Sequence, residues 1–333
     1  MSEAETPASG LPVHPGYRER YPWHAATWSA LTRDLARMPH ALLLHGAEGL
    51  GKRAFAWRLA QVLLCAAPEA GAVACGSCSS CRRFAAGTHP DLLQVRPPED
   101  SVTIAVDQIR EMRSFVALKP HAGARKLVLL DPAEAMNLNA ANALLKILEE
   151  PPASSLLLLI TPRSARLPAT IRSRCALVSF RPPAEAEAVE WLRGQGVTAN
   201  QDRLLALAGI APLRALALAK TAELQDHEQF VKDVEALKAG TEDPLRCAAR
   251  WKNHGAERCL EWFQRYLAGF VRAVMERGAE SPPAGKNVFL LKGLFHYFDV
   301  VSEARALATG PLDELLLLED IFIRWTRLFR PIG

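Results

Sequence analysis

The residues Gly46-Ala47-Glu48-Gly49-Leu50-Gly51-Lys52 lie between a short apolar run and a helical stretch. Glycines let backbone N–H groups turn toward an anion, a helix N-terminus adds its positive dipole end, and Lys52 adds a full charge. In that strand-to-helix context the pattern reads as a phosphate-binding loop carried by Gly46, Gly49, Gly51 and Lys52. The next residue departs from the pattern. A Ser or Thr hydroxyl there would ligate magnesium, whereas Arg53 offers only N–H donors and repels a cation. A metal-holding carboxylate is available further on, in Asp131, directly after the apolar run Lys126–Leu130.

A second constellation is Cys65, Cys75, Cys78 and Cys81, in a Gly- and Ser-rich stretch. Cys75, Cys78 and Cys81 form C-x2-C-x2-C. Steps of three residues keep such thiols near one face of a helix or of successive tight turns. Cys65 supplies a fourth ligand from the end of the preceding helix. Four thiolates suit a closed tetrahedral structural zinc, one per chain, with no position open for chemistry. Disulfides and a thioredoxin-like C-x-x-C are the competing readings. A reducing compartment argues against the first and the extra cysteines against the second. Cys175, Cys247 and Cys259 are scattered and read as small buried apolar residues.

The elements that must position these groups follow from the apolar pattern. The chain has 333 residues, 49% hydrophobic and 23% charged, and a formal net charge of +4. That is enough apolar material for two or three domains, and too little charge to argue nucleic-acid binding alone. No run is long enough to span a membrane. The acidic, polar start lacks a signal-peptide pattern, so the cytoplasm is expected. Residues 1–16 read as a disordered tail. Strands are expected at Ala41–His45, 91–95, Lys126–Leu130, Ser155–Thr161 and 176–180. Helices are expected at Lys52–Leu64, Val106–Ala117 and 139–150, the last stopped by Pro151 and Pro152. Alternation of this kind argues a mostly parallel sheet covered on both faces. After Pro182 and Pro183 strand signals vanish. Three short helical patterns run to Lys220, and longer amphipathic ones follow, with breaks at His254-Gly255 and at Pro282, Pro283 and Gly285.

The first part of the chain, from residue 17 to about 220, resembles the clamp-loader AAA+ family of bacterial DNA polymerase III. The residues carrying the likeness are Tyr21-Pro22-Trp23, the run from His40 to Gly46, the cysteine insertion, Gly87-Thr88-His89-Pro90-Asp91, residues 140–152 (AANALLKILEEPP) and Thr170-Ile171-Arg172-Ser173-Arg174-Cys175. The resemblance implies a RecA-like α/β AAA+ sheet domain over 17–181 with a zinc loop at 65–81. A small helical lid over 182–222 and an all-helical collar over 223–333 would follow.

It also implies site roles. Arg174 of Ser-Arg-Cys would act as an arginine finger in the ATP site of an adjacent subunit. Arg214 would occupy the lid position called sensor 2, and Thr161 lies near sensor 1. AAA+ ATPases place a glutamate after the metal-holding Asp to activate water; here Pro132 follows Asp131, and Glu134 is two residues further on. ATP hydrolysis by this chain alone is therefore not expected, and ATP binding is left open. A degenerate loop with the zinc ligands retained points to a non-hydrolysing loader subunit. Its partners would be gamma/tau and delta subunits in a pentamer, with the sliding clamp and primer-template DNA reached through the assembly, as part of a nucleotidyltransferase holoenzyme. An ATP-hydrolysing loader subunit and a zinc-dependent nucleic-acid-binding module are the alternative functions.

Overall fold

The computed structural model describes residues 15–122, 124–279, 285–308, 310 and 312–329. The expected tail lies outside them, apart from a single 3-10 turn at Pro15–Arg18. Pro282 and Pro283 also lie outside them. The chain forms two compact units. The first is Met1–Gly196 with Ala208–Ala215; the second is Val197–Leu207 with Leu216–Gly333.

In the first unit, helix α1 (Ala25–Thr32) precedes strand β1 (Ala41–His45), and α2 (Lys52–Leu64) follows it. Then come α3 (Ser79–Ala85), β2 (Leu92–Val95), α4 (Val106–Ala117) and β3 (Lys126–Leu130). Next are α5 (Leu138–Glu149), β4 (Ser155–Thr161), the one-turn α6 (Ala169–Arg172), β5 (Ala176–Ser179) and α7 (Glu185–Gly194). The strands make one sheet in the order β2-β3-β4-β1-β5, every pairing parallel. β3 and β4 are buried along their whole length, as the continuous apolar sequence of a doubly covered strand demands. Alternation then divides the side chains between the faces. Leu43, Val128, Leu130, Leu157 and Leu159 meet Ile109, Met112 and Val116 of α4 and Leu144 and Leu148 of α5. The intervening residues, including Leu42, Leu44 and Leu158, are turned to the opposite face and are also fully buried.

Helix α5 starts at Leu138, one residue before the expected start, because Asn137 caps it with a side chain that accepts the N–H of Ala140. Its buried stripe includes Ile147, while Leu145 is only half-buried. Parallel strands place the phosphate loop, Asp131 and Thr161 at one end of the sheet, where β1, β3 and β4 finish.

The N-terminal aromatic motif holds that edge. Trp23 Nε1 donates to the carbonyl of Leu50 at 3.0 Å, and His24 Nε2 meets the same oxygen at 2.7 Å. Tyr21 stacks on Trp23, and Trp191 of α7 meets both rings edge-on.

The segment 182–222 is divided between the units: α7 belongs to the first, whereas α8 (Gln201–Ala208) lies mostly in the second and α9 (Pro212–Leu218) mostly in the first. The second unit continues as α10 (Glu223–Ala239), α11 (Pro244–Trp251), α12 (Ala256–Ala279), α13 (Gly285–Leu307) and α14 (Glu314–Phe329). Gly255, at φ 83°, turns the chain between α11 and α12 where a break was expected. Gly285, expected as part of a break, is instead the first residue of α13. Phe230, Trp251, Trp262, Phe263, Phe322 and Trp325 form an aromatic core. Trp325 is wholly buried in that core and donates to the carbonyl of Val234. The aromatic stripe of α14 therefore serves its own unit. Among the described residues no helix is long and apolar enough to cross a membrane.

His24 makes the first unit sensitive to acid. Burial is the largest influence on its ring and holds the pKa down at about 4, against the ordinary 6.5. The unfolded chain takes up this proton near pH 6.5 and the folded one refuses it until about pH 4, so stability falls as pH drops through that window. Denaturant unfolding is expected to show a loss of about 2 kcal/mol from this ring between pH 7.5 and 5.0. His24→Asn, which keeps a donor for Leu50, is expected to flatten the dependence by that amount.

Candidate functional site

The phosphate loop leaves β1 at Gly46 and enters α2 at Gly51, which caps the helix at φ 84°. Gly49, at φ 79°, must be glycine for a second reason. A Cβ there would stand 2.6 Å from Cβ of Arg214, whose neighbour Leu213 donates its N–H to the Gly49 carbonyl at 3.1 Å. Arg214, proposed from the sequence as a lid residue, thus packs directly on the loop.

Lys52 is 6% exposed. Its ammonium donates to the carbonyls of Gly46 and Ala47, each at 2.7 Å. Burial lowers its pKa to about 8, against opposing attraction from Glu48, Asp131 and Glu134. The lysine is folded back onto its own loop, with one of its three N–H donors uncommitted to those carbonyls.

Arg53 and Asp131 meet. The Nε of Arg53 forms an ion pair and hydrogen bond with Oδ2 of Asp131, whose side chain is 4% exposed. The residue after Lys52 therefore supplies a cation to the carboxylate that follows β3. Both groups line a cavity of about 400 Å³ with Glu48, Lys52, Glu134 and Arg163. Glu134 reaches the cavity, and its Oε2 has no hydrogen-bond partner. Thr161 ends β4, fully buried, and its hydroxyl accepts the N–H of Arg163 at 3.0 Å. Arg163 was not singled out from the sequence; only its position two residues beyond a buried strand could have marked it.

The four cysteines come together. Their sulfurs lie within 4.8 Å of one another and could hold one metal ion. Cys65 closes α2, Cys78 caps α3 and Cys81 lies in its first turn. The N–H of Cys75 donates to the sulfur of Cys65, and that of Cys81 to the sulfur of Cys78, both at 3.3 Å. Such donors favour the thiolate and lower the pKa of Cys78, whereas burial outweighs them at Cys65 and raises that thiol and Cys81. The pKa of Cys75 is drawn down to about 6, chiefly by the backbone N–H of Cys78. All four thiols are free, so the donor set fits a thiophilic cation. Cys175, Cys247 and Cys259 are buried one by one, as expected.

A hydrogen-bonded chain ties this cluster to the sheet and accounts for Thr-His-Pro-Asp. Ser80 of α3 donates to the Leu64 carbonyl and meets His89 Nε2 at 2.7 Å. His89 Nδ1 accepts the N–H of Asp91 at 3.1 Å, which fixes the neutral tautomer with the proton on Nε2. Asp91, fully buried, accepts the N–H groups of His121 and Ala122 and pairs with Lys126 at 3.1 Å. Burial pushes its carboxyl up, and these donors together outweigh it, leaving the group below its ordinary range.

Arg174 does not line the cavity. Its side chain is 37% exposed, and its guanidinium pairs with Glu149 at 2.8 Å and donates to the Thr170 carbonyl at 3.0 Å. The structure thus brings together Gly46, Gly49, Gly51, Lys52, Asp131 and Arg214 at one place, the cysteines at another, and Arg174 at a third.

A parallel sheet with a glycine loop after β1 and a buried acid after β3 defines an AAA+-type α/β module, here with a four-cysteine insertion. The model for the family described as DNA polymerase III, delta subunit, matches residues 23–184. The DNA polymerase III subunit delta′ of Pseudomonas aeruginosa is 37% identical over 329 residues, 93% of this chain and 98% of that protein. The Escherichia coli K12 subunit delta′ is 40% identical over 203 residues, 60% of each chain. A crystal structure of a DNA polymerase III gamma subunit-related protein from Thermotoga maritima superposes with a TM-score of 0.45 and 18% identity, covering 91% of this chain and all of that one. The chain belongs to the DNA polymerase III delta′ subunit family.

If Arg53 neutralises Asp131, removing it leaves a buried carboxylate without its ion-pair partner. Arg53→Ala is expected to cost about 1–2 kcal/mol of unfolding free energy, less than a fully buried pair because the arginine side chain is half exposed. Adding Asp131→Asn is expected to restore most of the loss in denaturant titrations.

Proposed function

We propose that this chain is a clamp-loader subunit that hydrolyses no ATP itself and supplies Arg174 to the ATP site of an adjacent subunit. One observation carries the reading: in the chain's own cavity Arg53 takes the partner that a magnesium ion would need, while Arg174 stands outside that cavity and partly exposed. A loader subunit with its own metal position filled by a guanidinium cannot polarise a phosphate through magnesium there. A planar, permanently charged guanidinium facing outward suits a neighbour's phosphate oxygens, which it can contact bidentately.

The assembly would be a pentamer with gamma/tau and delta subunits, acting in the cytoplasm to open a sliding clamp and close it on primed DNA. Within it this subunit is a stator: residues 17–181 form the AAA+ module, 182–222 the lid and 223–333 the collar. Gly46, Gly49, Gly51, Lys52, Asp131 and Arg214 are what remains of a nucleotide site. Cys65, Cys75, Cys78 and Cys81 hold a structural zinc, whose contribution when bound is to fix the loop between α2 and α3.

Arg174→Ala is expected to lower ATP turnover by the reconstituted loader, since a finger stabilises charge on the transferring phosphoryl group, with assembly unaltered. Turnover equal to that of the unaltered loader would remove the finger role. Elemental analysis is expected to find about one zinc per chain, lost in a Cys65→Ser/Cys78→Ser variant. Retention of the metal in that variant would sink the ligand assignment.

A further inference from the structure

We infer that Glu149 is a positioning residue for Arg174: it holds the guanidinium in place before the neighbour's nucleotide arrives. The inference rests on the finger reading of Arg174. Its starting point is the Glu-Glu-Pro-Pro run that ends α5. Two prolines forbid continuation of the helix, so both glutamates stand at its C-terminal end. That end carries the negative pole of the helix dipole and disfavours a carboxylate. Lys146 in the same turn is the residue type that belongs there. A cation partner offsets this bias, and Glu149 has one: its Oε1 lies 2.8 Å from Nη2 of Arg174.

The pair is too exposed to stabilise the fold appreciably, with side chains 51% and 37% accessible. What it does is order a long side chain. Arg174 follows α6, a helix of only one turn, and would otherwise sample many rotamers. Nη1 donates to the Thr170 carbonyl at 3.0 Å while Nη2 is fixed by Glu149, so both ends of the fork are anchored. A guanidinium has five N–H donors, and these two contacts leave others for phosphate oxygens. Glu149 therefore need not be displaced when a phosphate binds. A group already ordered gives up less entropy in reaching the transition state. Glu150, the neighbouring acid, makes no ion pair among the described residues and is the natural control.

The test uses the reconstituted loader with sliding clamp and primed DNA. Glu149→Ala is expected to lower kcat for ATP about threefold with KM within twofold, as the loss of one exposed, ordering ion pair allows. Glu149→Gln, isosteric and still able to accept a hydrogen bond, is expected to recover part of the rate, and Glu150→Ala to leave it unchanged. In an Arg174→Ala background, Glu149→Ala is expected to have no further effect. Turnover by Glu149→Ala equal to or above that of the unaltered loader overturns the inference. So does an undiminished threefold loss in the Arg174→Ala background. Both results leave the finger reading standing if Arg174→Ala alone is slow. A fast Arg174→Ala loader instead removes the finger reading itself.

Discussion

A carboxylate at the end of a fully buried strand must be neutralised by something, and much of this molecule's character follows from what neutralises Asp131. The end of β3 is flanked on either side by neighbouring strands, and Asp131 is buried there. An uncompensated charge there is costly. In a metal-using site the compensation arrives with the nucleotide and leaves with it. Here it is covalently part of the chain, as the side chain of Arg53. The electrostatic demand of the site is met in the resting molecule, and Lys52 is similarly satisfied by the carbonyls of Gly46 and Ala47.

The same logic of compensation recurs at the other end of the sheet. Asp91 is also fully buried, and Lys126 meets it across the β2–β3 edge. The two aspartates differ in their cations. Lys126 is as buried as its partner, whereas Arg53 keeps half its surface in solvent. The first arrangement is a fixed structural node and extends through His89 and Ser80 to the cysteine loop. The second lies at the mouth of a cavity.

The sheet was legible because its strands announce themselves. Leu156 to Ile160 cannot be anything but buried, and Pro151-Pro152 can only end a helix. The phosphate loop and the cysteine cluster were legible because their chemistry depends on spacing close along the chain. What escaped was pairing across the fold. Nothing in the sequence says that Arg53 and Asp131 touch, 78 residues apart, although each had been singled out as a departure from, or remnant of, a working site. Arg163 and Glu149 were missed for a related reason: an arginine after a strand and a glutamate before a proline are common, and only their neighbours in space distinguish them. The course of the segment 182–222 between two units likewise depends on packing that local periodicity does not encode.

Helix α2 is gripped at both ends. Behind its first residue the Leu50 carbonyl receives Trp23 and His24, and at its last turn the chain passes into Cys65, within reach of three other sulfurs. A rod held at one end can swing or fray. Held at both, it can only turn as a whole together with what holds it. The helix that in a nucleotide-driven module would register the presence of phosphate is here a strut. The cysteine loop and the cavity beside Asp131 thus lie at the two ends of one helix, and whatever displaces one displaces the other.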